Sequence, residues 1–299
     1  MLVLSPEIIE ALKNNQPIVA LESTILAHGM PYPDNIEMAQ SVDAIIRKEG
    51  AIPATAAVID GELKLGLTEQ ETERLAREQG VMKLSRRDIP YAVATKKTGA
   101  TTVAATMIIA EMAGVEVFVT GGIGGVHRDV ADSWDISADL TELSKTDVTV
   151  VCAGVKSILD IPRTLEYLET MGVPVVGFGT EVFPAFYYRD SGCSLSQSAV
   201  DAKAAAEIIM SKRILSLQGG IVVANPIPKA EEADKEEIER VIIEALKMAE
   251  TEGVRGKDLT PFLLDKVKSL TEGRSLEANL ALVRNNAKVG AQIACALSS

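Results

Sequence analysis

Lys156 stands where an apolar run ends. In 148-VTVVCAGVKSILDIP-162 the stretch VTVVCAGV reads as a buried strand, and Ser157 reads as the start of a helix. A helix N-terminus is electropositive and disfavours a nearby cation, and burial disfavours it too. Both effects favour a neutral, nucleophilic amine, which can attack C1 of a sugar and open its ring to an imine. An ordinary lysine, its stem on apolar surface and its head in water, fits such a position as well. Glu22 ends a second strand, PIVALE, and is followed by the small Ser23 and Thr24. A carboxylate there suits acid/base work, as it suits capping or ion pairing. The run 132-DSWDISADL-140 holds Asp135 and Asp139 four apart, on one face if the segment is helical. Two carboxylates make a hard-cation site of low specificity; Asp135 as the cap of a short helix is the alternative.

Glycines crowd 121-GGIGGVHR-128. They let backbone N–H groups approach an anion, or simply permit a tight turn. The dinucleotide fingerprint counted from Gly122 needs a small residue at position 127, where His127 stands. No GxxxxGK[ST] loop occurs either, so neither NAD nor ATP finds support. His127 and His28 are the two histidines, each in a Gly-containing stretch. Beside the glycines, His127 suits a phosphate or hydroxyl contact as well as a structural role. The stretch 81-VMKLSRRDIP-90 gathers Lys83, Arg86 and Arg87 in an acidic protein, as a phosphate contact or a solvated surface run.

These residues need elements to hold them. Strand-like and helix-like segments alternate over most of the chain. Ser5–Pro6 opens a helix with proline at its first position, and QPIVALES follows as a strand. Asp34 is expected to cap the next helix, with Glu37 placed as in a capping box. Asp60–Gly61, between the apolar runs of 56-AAVIDGELKLGL-67, is a hairpin signal, so the sheet should be mixed. Thr68 and Glu71 form a second capping box. A buried helix is expected over 102-TVAATMIIAEMAG-114, then the strand VEVFVT. A largely helical 157–172, the strands VPVVGF and GGIVVANP and a helix around 199–216 follow. The tail from Asp234 reads as helical, broken near Gly253–Lys257 and near Gly273. This order predicts a three-layer α/β/α sandwich with a mostly parallel or mixed central sheet. Residues 1–299 are expected to form a single α/β catalytic domain with a helical C-terminal region. Ligands of open α/β sheets gather at the carboxyl ends of strands, where the unusual residues fall.

Composition bounds the rest. Of 299 residues, 47% are apolar and 4% aromatic, so aliphatic side chains must fill a sizeable core. The net charge of −12 repels nucleic acid and anionic lipid, so neither is an expected partner. Three cysteines without metal-ligand spacing argue against a disulfide framework or zinc site; Cys152 reads as core. The N-terminus lacks a basic region and cleavage site, and no apolar run reaches about 18 residues. The expectation is a soluble, cytoplasmic protein.

Taken together, an imine-forming lysine, a carboxylate, an acidic cation site and a glycine loop suggest chemistry on a phosphorylated sugar. The strings ALESTILAHGMPYP, KLSRRDIP, GATTVAATMIIA, TGGIGGVHR, DISADL, VVCAGVKSILD, VVANPIP and TPFLL occur in that order. From about residue 5 to the C-terminal helix the chain resembles the pseudouridine-5′-phosphate glycosidase (pseudouridylate synthase) family, also described as indigoidine synthase A-like. The resemblance implies an enzyme of the carbon–oxygen lyase, hydro-lyase class. It would reversibly cleave the C–C glycosidic bond of pseudouridine 5′-phosphate to uracil and ribose 5-phosphate. By the same resemblance Lys156 forms the covalent adduct at C1, and the imine serves as electron sink while the uracil carbon is protonated. Glu22 is the general acid. Mn²⁺ or another divalent cation is held through Asp135, with no organic cofactor, and Ser137, Ala138 and Asp139 line the substrate site. Lys83 and Val103 contact substrate, Val103 through its backbone, and Thr120, His127 and Asn279 are phosphate or ribose contacts. A homotrimer is also implied. The segment 183-FPAFYYRDSGCSLSQSA-199 receives no role. Two rivals remain: a class I aldolase using the same lysine without a nucleobase pocket, and a sugar-phosphate sensor indifferent to Lys156 and Glu22.

Overall fold

Ile18–Leu21, Thr149–Cys152 and Ile221–Ala224 are apolar at nearly every position, and each is buried throughout. Strands covered on both faces read this way, as continuous runs without alternation. In the computed structural model, which describes residues 1–256 and 259–298, the strands are β1 (Leu2–Leu4), β2 (Ile18–Leu21), β3 (Ile52–Ile59), β4 (Glu62–Leu65), β5 (Met82–Leu84), β6 (Gly99–Thr101), β7 (Val117–Val119), β8 (Val126–His127), β9 (Thr149–Cys152), β10 (Leu159–Asp160), β11 (Val175–Phe178), β12 (Ser198–Ala199) and β13 (Ile221–Ala224). Among the described residues eleven of them share one sheet, ordered β1-β4-β3-β2-β7-β9-β13-β11-β12, with β6 joined to β3 and β5 to β6. Pairing is parallel except where β3 meets β4 and β6. β8 and β10 form a separate antiparallel ribbon.

The helices are α1 (Pro6–Lys13), α2 (Asp34–Lys48), α3 (Glu69–Arg77), α4 (Ile89–Ala94), α5 (Val103–Ala113), α6 (Val130–Ser133), α7 (Ala138–Leu143), α8 (Ile161–Thr170), α9 (Ala202–Ile214), α10 (Lys235–Glu252), α11 (Leu259–Leu270) and α12 (Arg274–Leu297). α5 packs on β2, β3 and β7, and α12 packs on β2, β7 and β9. α7 and α8 continue the layer of α5, while α2 and α9 flank α12. Helices thus cover both faces of the sheet, as an α/β/α sandwich requires. Side-chain caps fix where several begin. Ser5 accepts from Ile8 N–H, Thr68 and Glu71 form the expected capping box, and Thr102 accepts from Ala105 N–H. Asp60 and Gly61 both have positive φ at the β3–β4 hairpin, the conformation a two-residue turn needs.

Three expectations change. Asp34 is the first residue of α2 rather than its cap. Pro33 takes the cap position with no side-chain bond, so the box with Glu37 does not form. Ser157 does not start a helix. α8 begins at Ile161, capped by Asp160 onto Arg163 N–H, with Pro162 in its first turn. Residues 159–160 are spent instead on the ribbon with β8. Asp135 and Asp139 share no helix face, because Asp135 lies in the link between α6 and α7. The break after α10 falls at Gly253, in the left-handed conformation; Lys257, the other limit of that expectation, lies outside the described residues.

One topological detail positions the site. β2 pairs with β3 only as far as Leu21–Thr55, and β6 then pairs with Ala57 and Val58 of β3 in the opposite direction. The carboxyl ends of β2 and β6 therefore meet head-on. Ser23 Oγ accepts from Thr101 N–H at 2.9 Å, and Thr24 Oγ1 donates to Thr101 O at 2.7 Å.

Candidate active site

A cavity of about 820 Å³ lies at the carboxyl ends of β2, β7 and β9. Glu22, Lys83, Val103, Thr120, His127, Asp135, Ser137, Ala138, Asp139, Lys156 and Asn279 all line it. So do His28, Arg86 and Arg87. Residues spread over most of the chain are thus brought to one space of a size suited to a small ligand.

The lysine is held by an extension of the sheet. Beyond β7 and β9 the two chains keep exchanging bonds: Ala153 N–H to Gly121 O at 2.9 Å, Ile123 N–H to Gly154 O at 3.1 Å, and Lys156 N–H to Ile123 O at 3.2 Å. Lys156 is half-buried at the end of this ladder. The helix that the sequence starts at Ser157 begins four residues later, at Ile161.

The same bonds change the reading of the glycine stretch. Ile123 N–H is taken by Gly154, Gly124 N–H by Asp139 Oδ2 at 2.8 Å, and Val126 N–H by Thr164 Oγ1 at 2.9 Å. Those donors are not turned toward an anion. The glycines also serve close approach: a Cβ on Gly122 would lie 2.6 Å from the ring of Phe186.

Glu22 keeps some accessible surface where it lines the cavity and is otherwise enclosed. Burial pushes its carboxyl above the usual carboxylate range. The Lys156 ammonium and a hydrogen bond donated by Thr120 Oγ1 pull it back without cancelling the effect. A carboxyl so placed keeps its proton to higher pH than an exposed one, which suits a general acid. Thr120 therefore bonds to Glu22, a contact beyond the ribose or phosphate role the sequence suggests.

Asp139 is 6% exposed and spends both oxygens on backbone. Oδ1 accepts from Ala104 N–H at 3.0 Å and Oδ2 from Gly124 N–H at 2.8 Å. It ties the start of α5, and with it Val103, to the glycine stretch. Ser137 caps α7 by accepting from Asp139 N–H. Asp135 has its carbonyl bonded to His127 N–H at 3.0 Å, and its carboxylate lies 3.8 Å from His127 Nε2. Among the described residues no three His, Cys, Asp or Glu side chains converge on a metal position. The donor set at Asp135 thus fits a hard cation only with a shell made mostly of water and ligand oxygen.

The cationic stretch divides. Arg86 makes a two-pronged pair with the buried Glu142, at 2.6 Å each. Arg87 is largely exposed. Lys83 acts electrostatically on both Glu22 and His28. His28 lies in a π-helical turn, Ile25–Gly29, a form that recurs at functional sites. Partial burial and the neighbouring Lys83 charge push its imidazole below the ordinary histidine value. Burial pushes the Cys152 thiol up to about 12, which leaves it inert beneath the site.

Sequence reasoning missed Asn286, Phe186 and Tyr187. Asn286, fully buried on α12, donates to Thr120 O at 2.9 Å and accepts from Asn225 Nδ2 at 2.9 Å. An asparagine one heptad after Asn279, on the face that also carries Leu282, Val283 and Val289, is the signal that was available. Phe186 and Tyr187 line the cavity from the segment without a role. No spacing in that segment marks them.

Comparison with known proteins gives consistent neighbours. The family described as "Indigoidine synthase A like protein" matches residues 7–296. A pseudouridine-5′-phosphate glycosidase of Staphylococcus aureus (strain MW2) is 58% identical over 294 residues, 98% of this chain and 96% of that protein. One from Caldanaerobacter subterraneus is 56% identical over 295 residues, 99% of this chain and 96% of that protein. Among solved structures, a prealnumycin C-glycosynthase in complex with ribulose 5-phosphate superimposes with TM-score 0.93 at 38% identity, over 100% of this chain and 97% of that one. An indigoidine synthase A-like protein from Thermotoga maritima gives 0.91 at 37%, with the same coverage.

Proposed function

We propose that this chain, which belongs to the indigoidine synthase A-like family, reversibly cleaves the C–C glycosidic bond of pseudouridine 5′-phosphate, giving uracil and ribose 5-phosphate. The names of its relatives support the substrate. The observation that carries the chemistry is that Lys156 and Glu22 line one cavity, with the lysine the foremost charge acting on the carboxyl.

A carbon leaving group cannot depart as a stabilised anion, so the bond must be made labile first. Lys156 Nζ attacks C1 of the ribose and the ring C1–O bond breaks, its oxygen taking up a proton. Glu22 then delivers its proton to the uracil carbon. As that carbon accepts the proton, the nitrogen lone pair forms C1=N and the C–C bond electrons return to the base. Water hydrolyses the imine and releases ribose 5-phosphate, Lys156 and a proton that restores Glu22. In synthesis the carboxylate removes the proton and water is the other product, the sense in which the enzyme is a hydro-lyase.

Lys83, His127, Asn279 and the Val103 backbone are assigned to phosphate and ribose, and Ser137, Ala138 and Asp139 to the wall beside them. Asp135 is the carboxylate that would hold Mn²⁺ or a similar ion, which when bound would supply positive charge to an anionic substrate. We take residues 1–299 as one catalytic domain, cytoplasmic, acting as a homotrimer. Sedimentation equilibrium tests the trimer.

The deciding experiment follows uracil and ribose 5-phosphate from pseudouridine 5′-phosphate with Mn²⁺, beside Lys156→Ala. Release by the parent protein alone is expected. No release by the folded parent would overturn the proposal. An adduct with other sugar phosphates, independent of uracil, would favour an aldolase instead.

A further inference from the structure

Phe186 has φ +65, in the left-handed region, which a bulky side chain rarely occupies. Such a conformation persists only where the surroundings over-determine it. The surroundings here are the two strand extensions that carry the chemistry. Phe186 N–H donates to Ala153 O at 3.0 Å, three residues before Lys156, and Ala185 N–H donates to Tyr188 O at 3.0 Å. The ring is 2% exposed and meets Tyr187 edge-on, centroids 4.8 Å apart. It lies on Gly122, where a Cβ would fall 2.6 Å from ring Cδ2. The preceding Pro184 lies over Gly154, where a Cβ would fall 2.3 Å from the proline carbonyl oxygen. Gly122 precedes the donor, and Gly154 is the acceptor, of the bond from Ile123 N–H to Gly154 O. The strap 183–187 therefore crosses both strand extensions just below Lys156, and it fits only because both residues beneath it lack side chains.

We propose that Phe186 is a positioning residue for Lys156. Its ring, seated on Gly122, and its backbone, held in the left-handed conformation and bonded to Ala153, clamp the glycine stretch against residues 153–156. That register aims the lysine amine at the sugar carbon. The inference rests on the reading of Lys156 as the nucleophile. Attack needs the reacting atoms held within a few tenths of an ångström, and a strap that cannot slide supplies this at the root of the lysine.

The test is a double-mutant cycle on Phe186 and Gly122. Its readouts are kcat and KM for pseudouridine 5′-phosphate and the rate of borohydride-trapped ribose 5-phosphate adduct by protein mass. Phe186→Gly removes the ring and relaxes the backbone; trapping rate and kcat should fall about 30–100-fold with KM within about threefold, as misplacement of a reacting group predicts. Phe186→Tyr, which keeps the ring, should restore kcat to within about threefold of the parent. Gly122→Ala should be damaging alone, yet the double variant should be no worse than the worse single variant, because both act through one contact. Phe186→Leu keeps apolar bulk; should Phe186→Gly fail to fold, a trapping loss of about tenfold in folded Phe186→Leu supports the proposal. Losses that multiply, or an unchanged trapping rate in folded Phe186→Gly or Phe186→Leu, overturn it. No adduct in the parent protein overturns the reading of Lys156 together with this inference, so the two failures are distinguishable.

Discussion

Lys156 and Arg87 are both basic side chains lining one cavity, yet the chain treats them in opposite ways. Lys156 is half-buried, its N–H bonded to Ile123 in a ladder that continues the central sheet. Glu22, which lines the same cavity, accepts a hydrogen bond from Thr120. Arg87 has a side chain 82% exposed and approaches Asp88 only to 3.7 Å. The inner wall also fixes Asp139, both of whose oxygens are taken by backbone N–H groups. The rim offers charge in solvent, where screening leaves each contact worth little. On the proposed function, reaction chemistry falls to the inner wall, and Arg87 on the rim contributes only screened attraction for an anionic ligand.

Four substitutions break or sharpen that contrast. Lys156→Ala should abolish the adduct seen by mass spectrometry and cut turnover on the order of 10⁴–10⁶-fold, as loss of a nucleophile does elsewhere. An adduct in that variant would move the nucleophile to another residue. Glu22→Gln should still trap ribose 5-phosphate but release uracil about 10²–10⁴-fold more slowly. The parent's pH profile gives the sign. The proton transfer that releases uracil from the adduct needs the protonated acid, so that step should slow as pH rises through the raised Glu22 pKa. Synthesis, which needs the carboxylate, should fall as pH drops through the same value. A profile unchanged by Glu22→Gln would remove Glu22 from the acid role.

Asp139→Ala leaves the N–H groups of Ala104 and Gly124 without the acceptor they have now. Stability should drop by about 2–4 kcal/mol, read as a lower urea midpoint at constant slope. A loss under about 0.5 kcal/mol would show that water replaces the carboxylate there. Arg87→Ala should be the mildest, with kcat unchanged and KM raised no more than about fivefold, the scale of a screened surface charge. That increase should vanish at high salt. A large kcat effect at Arg87 would erase the distinction between rim and wall.

Legibility in the sequence followed the range of the interactions. β2, β9 and β13 were readable because burial on both faces demands unbroken apolar runs. The Asp60–Gly61 turn, the capping box of α3 and the starts of α1 and α10 were readable because each is settled within about four residues. Asp34 misled because Pro33 displaced it from the cap, and Ser157 because the ribbon with β8 delayed the helix to Ile161. Two-residue strands such as β8, β10 and β12 carry too few positions to show a period.

Sequence alone determined which residues could react, where the buried strands run, and the family whose motifs they carry. Only the tertiary structure decided what those residues are bonded to. Ser23 meets Thr101 across 78 positions of chain, and Asn286 holds the Thr120 carbonyl across 166. The strap at Phe186 closes over Gly122 and Gly154 from a third segment. Spacing along a chain reports only the faces of the element it belongs to. Which strand ends abut, and which N–H groups an Asp139 consumes, follow from the packing of whole elements against one another.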